Sequence, residues 1–258
     1  MTNIEPVVLV GGFGSHWRDY QAGAALLQQV SGRRVFIANI KRYTWPIANF
    51  TSYTLLLEIT HKAVDHALRE TGADSVILIG HSAGGAVARA YLSDDLEGIE
   101  PRRPFASKVS AYAGHQRVSR LITLGSPLQV VENFERERKP LRYMAWIHKR
   151  YPGAYFQNVA YLSVFGHATF GKADGLRHEK VAYQYYRYLS GFGEQWGDGV
   201  VPNSLSRVDG IPALELDGMS HSPLATNWYL SDAASIRRWW HYFDVGDAPT
   251  LMPDVAMA

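Results

Sequence analysis

Short apolar runs alternate with longer amphipathic stretches along most of this chain. Val7–Val10, Val35–Ile37, Val76–Ile79, Leu121–Leu124, Val159–Val164 and Ala213–Leu216 are apolar at nearly every position and too short for helices. Continuous runs of this kind predict strands covered on both faces, as in a parallel sheet. Between them lie helical patterns. Tyr20–Val30 carries Ala22, Ala25, Leu26 and Val30. Tyr53–Thr71 places Leu56, Ile59, Ala63, Val64 and Leu68 on one stripe, and Gly72 follows as a stop signal. Ala83–Leu92 and Ala233–Tyr242 complete the set, with Asp232 as the N-cap of the last. The rhythm predicts an α/β protein: a mostly parallel sheet of about six strands, with helices on both faces and right-handed crossovers.

Residues 128–191 break the rhythm. Phe134, Tyr143, Trp146, Tyr151, Tyr155, Phe156 and the run Tyr183-Gln184-Tyr185-Tyr186-Arg187-Tyr188 make this stretch aromatic, basic and irregular. It is too long for an ordinary connection. It reads as a helical, aromatic cap over the sheet's C-terminal edge, interrupted by the strand at Val159–Val164. The competing reading is a set of aromatic core helices. Pro249–Ala258 reads as a loose tail. At 258 residues the whole chain, 1–258, is expected to form one domain with the cap inside it.

Composition narrows the function classes. Hydrophobic residues are 47% and charged residues 19%, which argues against disorder. A net charge of only +2 gives no reason to expect a nucleic-acid partner. The absence of cysteine excludes disulfides, thiolate metal sites and a cysteine nucleophile. No signal-peptide pattern precedes Val7, and no apolar run is long enough to span a membrane. The expectation is a cytoplasmic or undetermined location, with no transmembrane segment and with transient contact to a lipid interface left open.

The strongest chemical signal is Gly80-His81-Ser82-Ala83-Gly84, a G-x-S-x-G pattern after a predicted strand and before a predicted helix. That is the setting of a nucleophile elbow, in which a strained turn lifts the serine Oγ clear of the sheet. Gly80 and Gly84 leave room for strand and helix to approach. Gly11-Gly12-Phe13-Gly14 follows the first strand. A tight turn there exposes backbone N–H groups, so the expected oxyanion donors are the N–H groups of Phe13 and Ala83. The spacing fits neither nucleotide-binding glycine motif.

A serine nucleophile needs a base. His221 fits, on a loop after the last predicted strand. His241 lies in the last helix, His167 and His178 lie in the cap region, and His81 is turned away by the elbow. The acid is expected between nucleophile and base in chain order. Asp198, in Gly197-Asp198-Gly199-Val200-Val201-Pro202, is the first choice. Asp217 is close in sequence to His221. Asp174, Asp209 and Glu132 stay open.

GGFG after the first strand, GHSAGG at the elbow, TLGSP at Thr123–Pro127, GDGVVP at Gly197–Pro202 and GMSHSPL at Gly218–Leu224 together resemble an α/β-hydrolase of the lipase or esterase type. The resemblance implies the α/β-hydrolase fold. It also implies a reaction without cofactor or metal, through an acyl-enzyme on Ser82 with His221 and Asp198. Two departures stand out. The chain enters at what would be the family's third strand, which implies a smaller sheet than eight strands. The first loop reads GGFG where many lipases carry His-Gly-x-Gly. Trp17, Trp45 and Trp146 are expected to line an apolar cleft for a small-molecule or lipid ester. A thioesterase, amidase or acyltransferase would use the same residues. A catalytically inactive hydrolase serving as a binding module is the rival from another class.

Overall fold

The structure is a computed structural model, and it describes residues 4–50, 52–97, 111–129, 131 and 139–244. Phe134, Glu132 and the expected tail lie outside the described residues.

Six strands form one parallel sheet: β1 (Val7–Val10), β2 (Val35–Ile37), β3 (Val76–His81), β4 (Val118–Leu124), β5 (Ala160–His167) and, later in the chain, β8 (Ala213–Asp217). Their order across the sheet is β2-β1-β3-β4-β5-β8. Val7 pairs with Ile77 and Val10 with Gly80, and His81 pairs with Leu124, so β1, β3 and β4 end side by side. A separate two-stranded antiparallel sheet pairs β6 (Thr169–Phe170) with β7 (Trp196–Gly197).

Alternate residues of each strand face opposite sides, which divides the core in two. Val8, Val10, Val76, Leu78 and Leu121 face one cluster; Val7, Leu9, Ile77, Ile79 and Ile122 face the other. On the first side lie α2 (Thr44–Phe50), α3 (Thr54–Thr71), α4 (Ala83–Leu92) and α5 (Lys139–Arg150). On the second lie α1 (Gln21–Ser31) and α8 (Ala233–Asp244), which supplies Ile236, Trp239 and Trp240. The elements α6 (Arg177–Ser190) and α7 (Asn203–Ser206) belong to the long connection between β5 and β8.

Both faces of the sheet are thus covered by helices, as the continuous apolar runs predicted. The expected stripe of α3 packs on the core, with Leu56 and Val64 buried and Ile59, Ala63 and Leu68 part-buried against them, whereas that of α1 is rotated. In α1 the buried residues are Gly23, Ala24 and Leu27, while Ala22 and Ala25 are exposed. A Cβ on Gly23 would lie 2.7 Å from Leu230 Cβ, so the helix approaches that segment on its glycine side. In α3 the buried stripe is Leu56, Leu57, Thr60, Val64 and Ala67. Gly72 ends α3 at φ 68°, a left-handed geometry, and its N–H reaches Leu68 O at 2.8 Å. Asp232 caps α8 by accepting from Ser235 N–H at 2.9 Å.

The stretch 128–191 does two things. Tyr143, Ile147, Tyr151 and Phe156 join the core cluster beside α4, and Tyr143 and Ile147 also line the cavity described below. In α6 only Ala182, Tyr186 and Ser190 are buried; Val181, Tyr185 and Tyr188 are 46–49% exposed. No helix among the described residues is long and apolar enough to cross a membrane.

Candidate active site

The chain leaves β1 toward β2 on one side and returns as β3 on the other. The switch in direction opens a crevice at the C-terminal ends of β1 and β3, where ligands of open α/β sheets bind. Gly11-Gly12 leaves β1 there, and Ser82 leaves β3.

Ser82 has φ 54° and ψ −133°, outside the regions that residues with a Cβ prefer. Such a geometry costs about 1–3 kcal/mol and persists only where the surroundings over-determine it. Here they do. Ser82 N–H donates to Leu124 O at 2.9 Å, and Gly85 N–H returns to Ser82 O at 3.0 Å. A Cβ on Gly80 would meet the backbone of Gly85, and one on Gly84 would meet the Val10 and Gly11 carbonyls. Gly84 therefore makes room for β1, and Gly85, which the sequence reading passed over, makes room for Ser126 and partners Gly80.

His221 follows β8 on a loop pinned by Ser220 N–H on Asn227 O at 2.8 Å. Its Nε2 stands 2.9 Å from Ser82 Oγ. Its Nδ1 stands 2.7 Å from Asp198 Oδ2. Asp198 follows β7 directly and is 3% exposed. A carboxylate so buried must have its lone pairs satisfied. Val200 N–H (3.1 Å) and Val201 N–H (2.8 Å) bond its Oδ1, and Tyr229 O–H donates to Oδ2 at 2.8 Å. Burial first, then the neighbouring carboxylate, hold the Tyr229 hydroxyl well above the usual tyrosine range, so it stays a donor. Tyr186 of α6 supports the same loop: its hydroxyl donates to Thr169 O at 3.0 Å and accepts Gly199 N–H at 2.9 Å.

The other weighed residues lie elsewhere. Asp174 is exposed beside Lys172, and Asp217 and Asp209 are exposed. His167 pairs with Glu215 at 2.7 Å, His178 is exposed, and His241 bonds the Arg237 carbonyl. His81 turns away from Ser82 Oγ, toward Tyr20 and the His221 carbonyl.

The glycine loop lies against Ser82: a Cβ on Gly12 would sit 2.6 Å from Ser82 Cβ. Among the described residues nothing accepts the N–H of Phe13 or of Ala83. Ala83 opens α4, whose N-terminal N–H groups and dipole face the same point.

Above Ser82 lies a cavity of about 1540 Å³. Phe13, Trp45, Tyr53, Ile147, Tyr185 and Tyr188 line it together with Ser82 and Ala83. Trp45 is thus a wall residue, with its ring 5.7 Å from that of Phe13. Trp17 and Trp146 are not in the wall. Trp17 belongs to the short turn before α1. Trp146 packs on Tyr151 and donates its indole N–H to Glu97 O at 3.1 Å. Their spacing from the elbow in sequence held no information about which tryptophan would turn inward. Tyr229, Tyr186 and Tyr20 support the site but carry no motif; only their contacts reveal them.

A family model described as a PGAP1-like alpha/beta domain matches residues 47–167, just under half of the chain. No curated protein matches the chain in sequence. Among solved structures, that of the lipase BlEst2 of Bacillus licheniformis in its mature form is similar at 15% identity and a TM-score of 0.57. The likeness covers 95% of this chain and 91% of that one. Lipase B of Aspergillus fumigatus is similar at 13% identity over 63% of this chain and 37% of that one, with a TM-score of 0.44. A pyrethroid hydrolase from Sphingobium faniae is similar at 19% identity over 49% and 42%, with a TM-score of 0.33. The likeness to BlEst2 runs over nearly the whole of both chains and is one of fold: the chain has an α/β-hydrolase fold.

Proposed function

We propose that the protein is a serine hydrolase that cleaves carboxylic esters of lipophilic substrates through an acyl-enzyme. The observation that carries this reading is the unbroken hydrogen-bonded series Asp198–His221–Ser82, at 2.7 and 2.9 Å. His221 Nε2 takes the proton of Ser82 Oγ as that oxygen attacks the acyl carbonyl. Asp198 orients the imidazole and stabilises it once charged. The N–H groups of Phe13 and Ala83 receive the oxyanion, each contributing about 3 kcal/mol to the transition state. His221 then protonates the leaving alcohol, and afterwards deprotonates the water that releases the acid.

The cavity supports an apolar acyl group. Its wall is mainly aromatic and aliphatic, and its charged members, Arg177, Lys180 and Arg187 of α6, are exposed to water. On this reading α6 is the cap of the site, and 1–258 is one catalytic domain. An ester is favoured over an amide by the apolar site, which offers few groups to hold a peptide backbone.

The test is a panel of p-nitrophenyl esters of increasing acyl length, with thioester, amide and triglyceride controls, run beside fluorophosphonate labelling. Turnover rising with acyl length, with label on Ser82, supports the reading. No label on Ser82 overturns it and favours an inactive binding module. Preferential turnover of the thioester or amide overturns the ester assignment alone.

A further inference from the structure

Beneath the site runs a second line of hydrogen bonds that the reaction itself does not use. Gly12 N–H donates to Tyr20 Oη at 2.8 Å. Tyr20 Oη stands 2.8 Å from His81 Nδ1, and His81 Nε2 stands 3.1 Å from the His221 carbonyl oxygen. Each proton is placed by elimination. A carbonyl only accepts, so Nε2 carries the ring hydrogen. The neutral ring then accepts at Nδ1, so the Tyr20 hydroxyl donates there and takes the Gly12 N–H on its lone pair. Burial, and then the charge of the nearby His221 ring, hold His81 well below the ordinary histidine range, which keeps the ring neutral. Tyr20 is fully buried and His81 is 2% exposed.

The line joins three loops far apart in sequence. Gly12 precedes Phe13, His81 precedes Ser82, and the carbonyl at the far end belongs to His221. The Gly12 carbonyl is held too, by Ser15 Oγ at 2.7 Å and Ser15 N–H at 3.3 Å. The Gly12–Phe13 peptide is planar and trans, so fixing that carbonyl aims the Phe13 N–H in the opposite direction. A backbone donor has no rotamer of its own to adjust; only its neighbours can aim it. Misplacing such a group by a fraction of an ångström is costly to the rate.

We infer that Tyr20 and His81 are positioning residues: a buried relay, Gly12–Tyr20–His81–His221, holds the oxyanion loop and the base loop in register about Ser82. The inference rests on the triad proposed above.

Tyr20→Phe keeps the ring and its packing on Trp228 but leaves Gly12 N–H and His81 Nδ1 without partners. His81→Leu removes both ends of the ring's bonding, whereas His81→Gln retains a donor toward the His221 carbonyl. With p-nitrophenyl butyrate, kcat is expected to fall about tenfold in Y20F and about thirtyfold in H81L, with KM within about twofold of the parent. H81Q recovers most of the loss. The double variant Y20F/H81L is no slower than H81L, because both act on one line. Fluorophosphonate labelling of Ser82 slows in the same order, each variant being assayed well below its own thermal midpoint. If the parent labels at Ser82 and Y20F and H81L label as fast, the relay inference falls while the triad stands. A loss shared equally by H81L and H81Q, or one that tracks the unfolded fraction, also overturns it. A parent protein that does not label at Ser82 overturns triad and relay together.

Discussion

Between Gly80 and Gly85, on the floor of the cavity, a single added methyl group would strike backbone. Along α6, which lines the same cavity, Tyr185 and Tyr188 stand nearly half exposed. The floor is close-packed, and the side chains of Ser82, His221 and Asp198 on it are all hydrogen-bonded. The roof is a helix that buries one edge, Ala182, Tyr186 and Ser190, and leaves Tyr185 and Tyr188 half exposed on the cavity. The contrast separates two tasks. Groups that meet developing charge must be held in place before substrate arrives. Groups that meet an apolar chain need only exclude water, and can adapt to its length.

The comparison can be broken or sharpened by substitution. Ser82→Ala is expected to lower ester turnover by at least about 10⁴-fold while leaving the thermal midpoint near the parent's. Turnover that survived would detach the chemistry from the floor altogether. Asp198→Asn is nearly isosteric but lets His221 adopt the wrong tautomer, so kcat should fall about 10³- to 10⁴-fold, measured on the same ester. Gly84→Ala tests packing rather than chemistry. Its Cβ would meet the Val10 and Gly11 carbonyls, and the variant should lose about 2 kcal/mol of stability in urea unfolding. Val181→Ala on the roof should stay within about 0.5 kcal/mol of the parent, since its side chain is 47% exposed. Tyr185→Ala and Tyr188→Ala test the cavity wall itself. Each should lower kcat/KM for long-chain esters about fivefold and leave short-chain esters within about twofold. Equal losses at all chain lengths would mean that α6 serves the chemistry and is no adaptable roof.

How far the molecule was legible beforehand differs between the same two regions. The inner strands β1, β3, β4 and β5 announced themselves because a strand buried on both faces must be apolar at consecutive positions. The elbow did so because steric crowding admits so few residue types there. Glycine at 80 and 84 is demanded by backbone contact, and contact with backbone leaves a mark in sequence. The stripe of α3 was legible, but that of α1 was displaced because small residues blur a helical period; it is Gly23, not Ala22 or Ala25, that meets Leu230. In the run from Tyr183 to Tyr188 the residue type stays the same while the roles diverge. Tyr186 supports the Asp198 loop, and Tyr185 and Tyr188 face the cavity. Nothing in the composition of that run says which is which. The same holds for the tryptophans, of which Trp45 reached the wall and Trp17 and Trp146 did not.

By itself, then, the sequence determined the strand–helix order, the parallel sheet and the strained serine turn, because each is written in local pattern and local sterics. Which carboxylate would stand behind His221, which tyrosine would bond it, and which histidine would be tied to Tyr20 were decided only in three dimensions. Asp198 and Tyr229 meet at 2.8 Å across 31 residues, and His81 meets the His221 carbonyl across 140. Contacts of that kind depend on how β3, β7 and β8 end relative to one another. No local pattern encodes that distance; the packed sheet sets it.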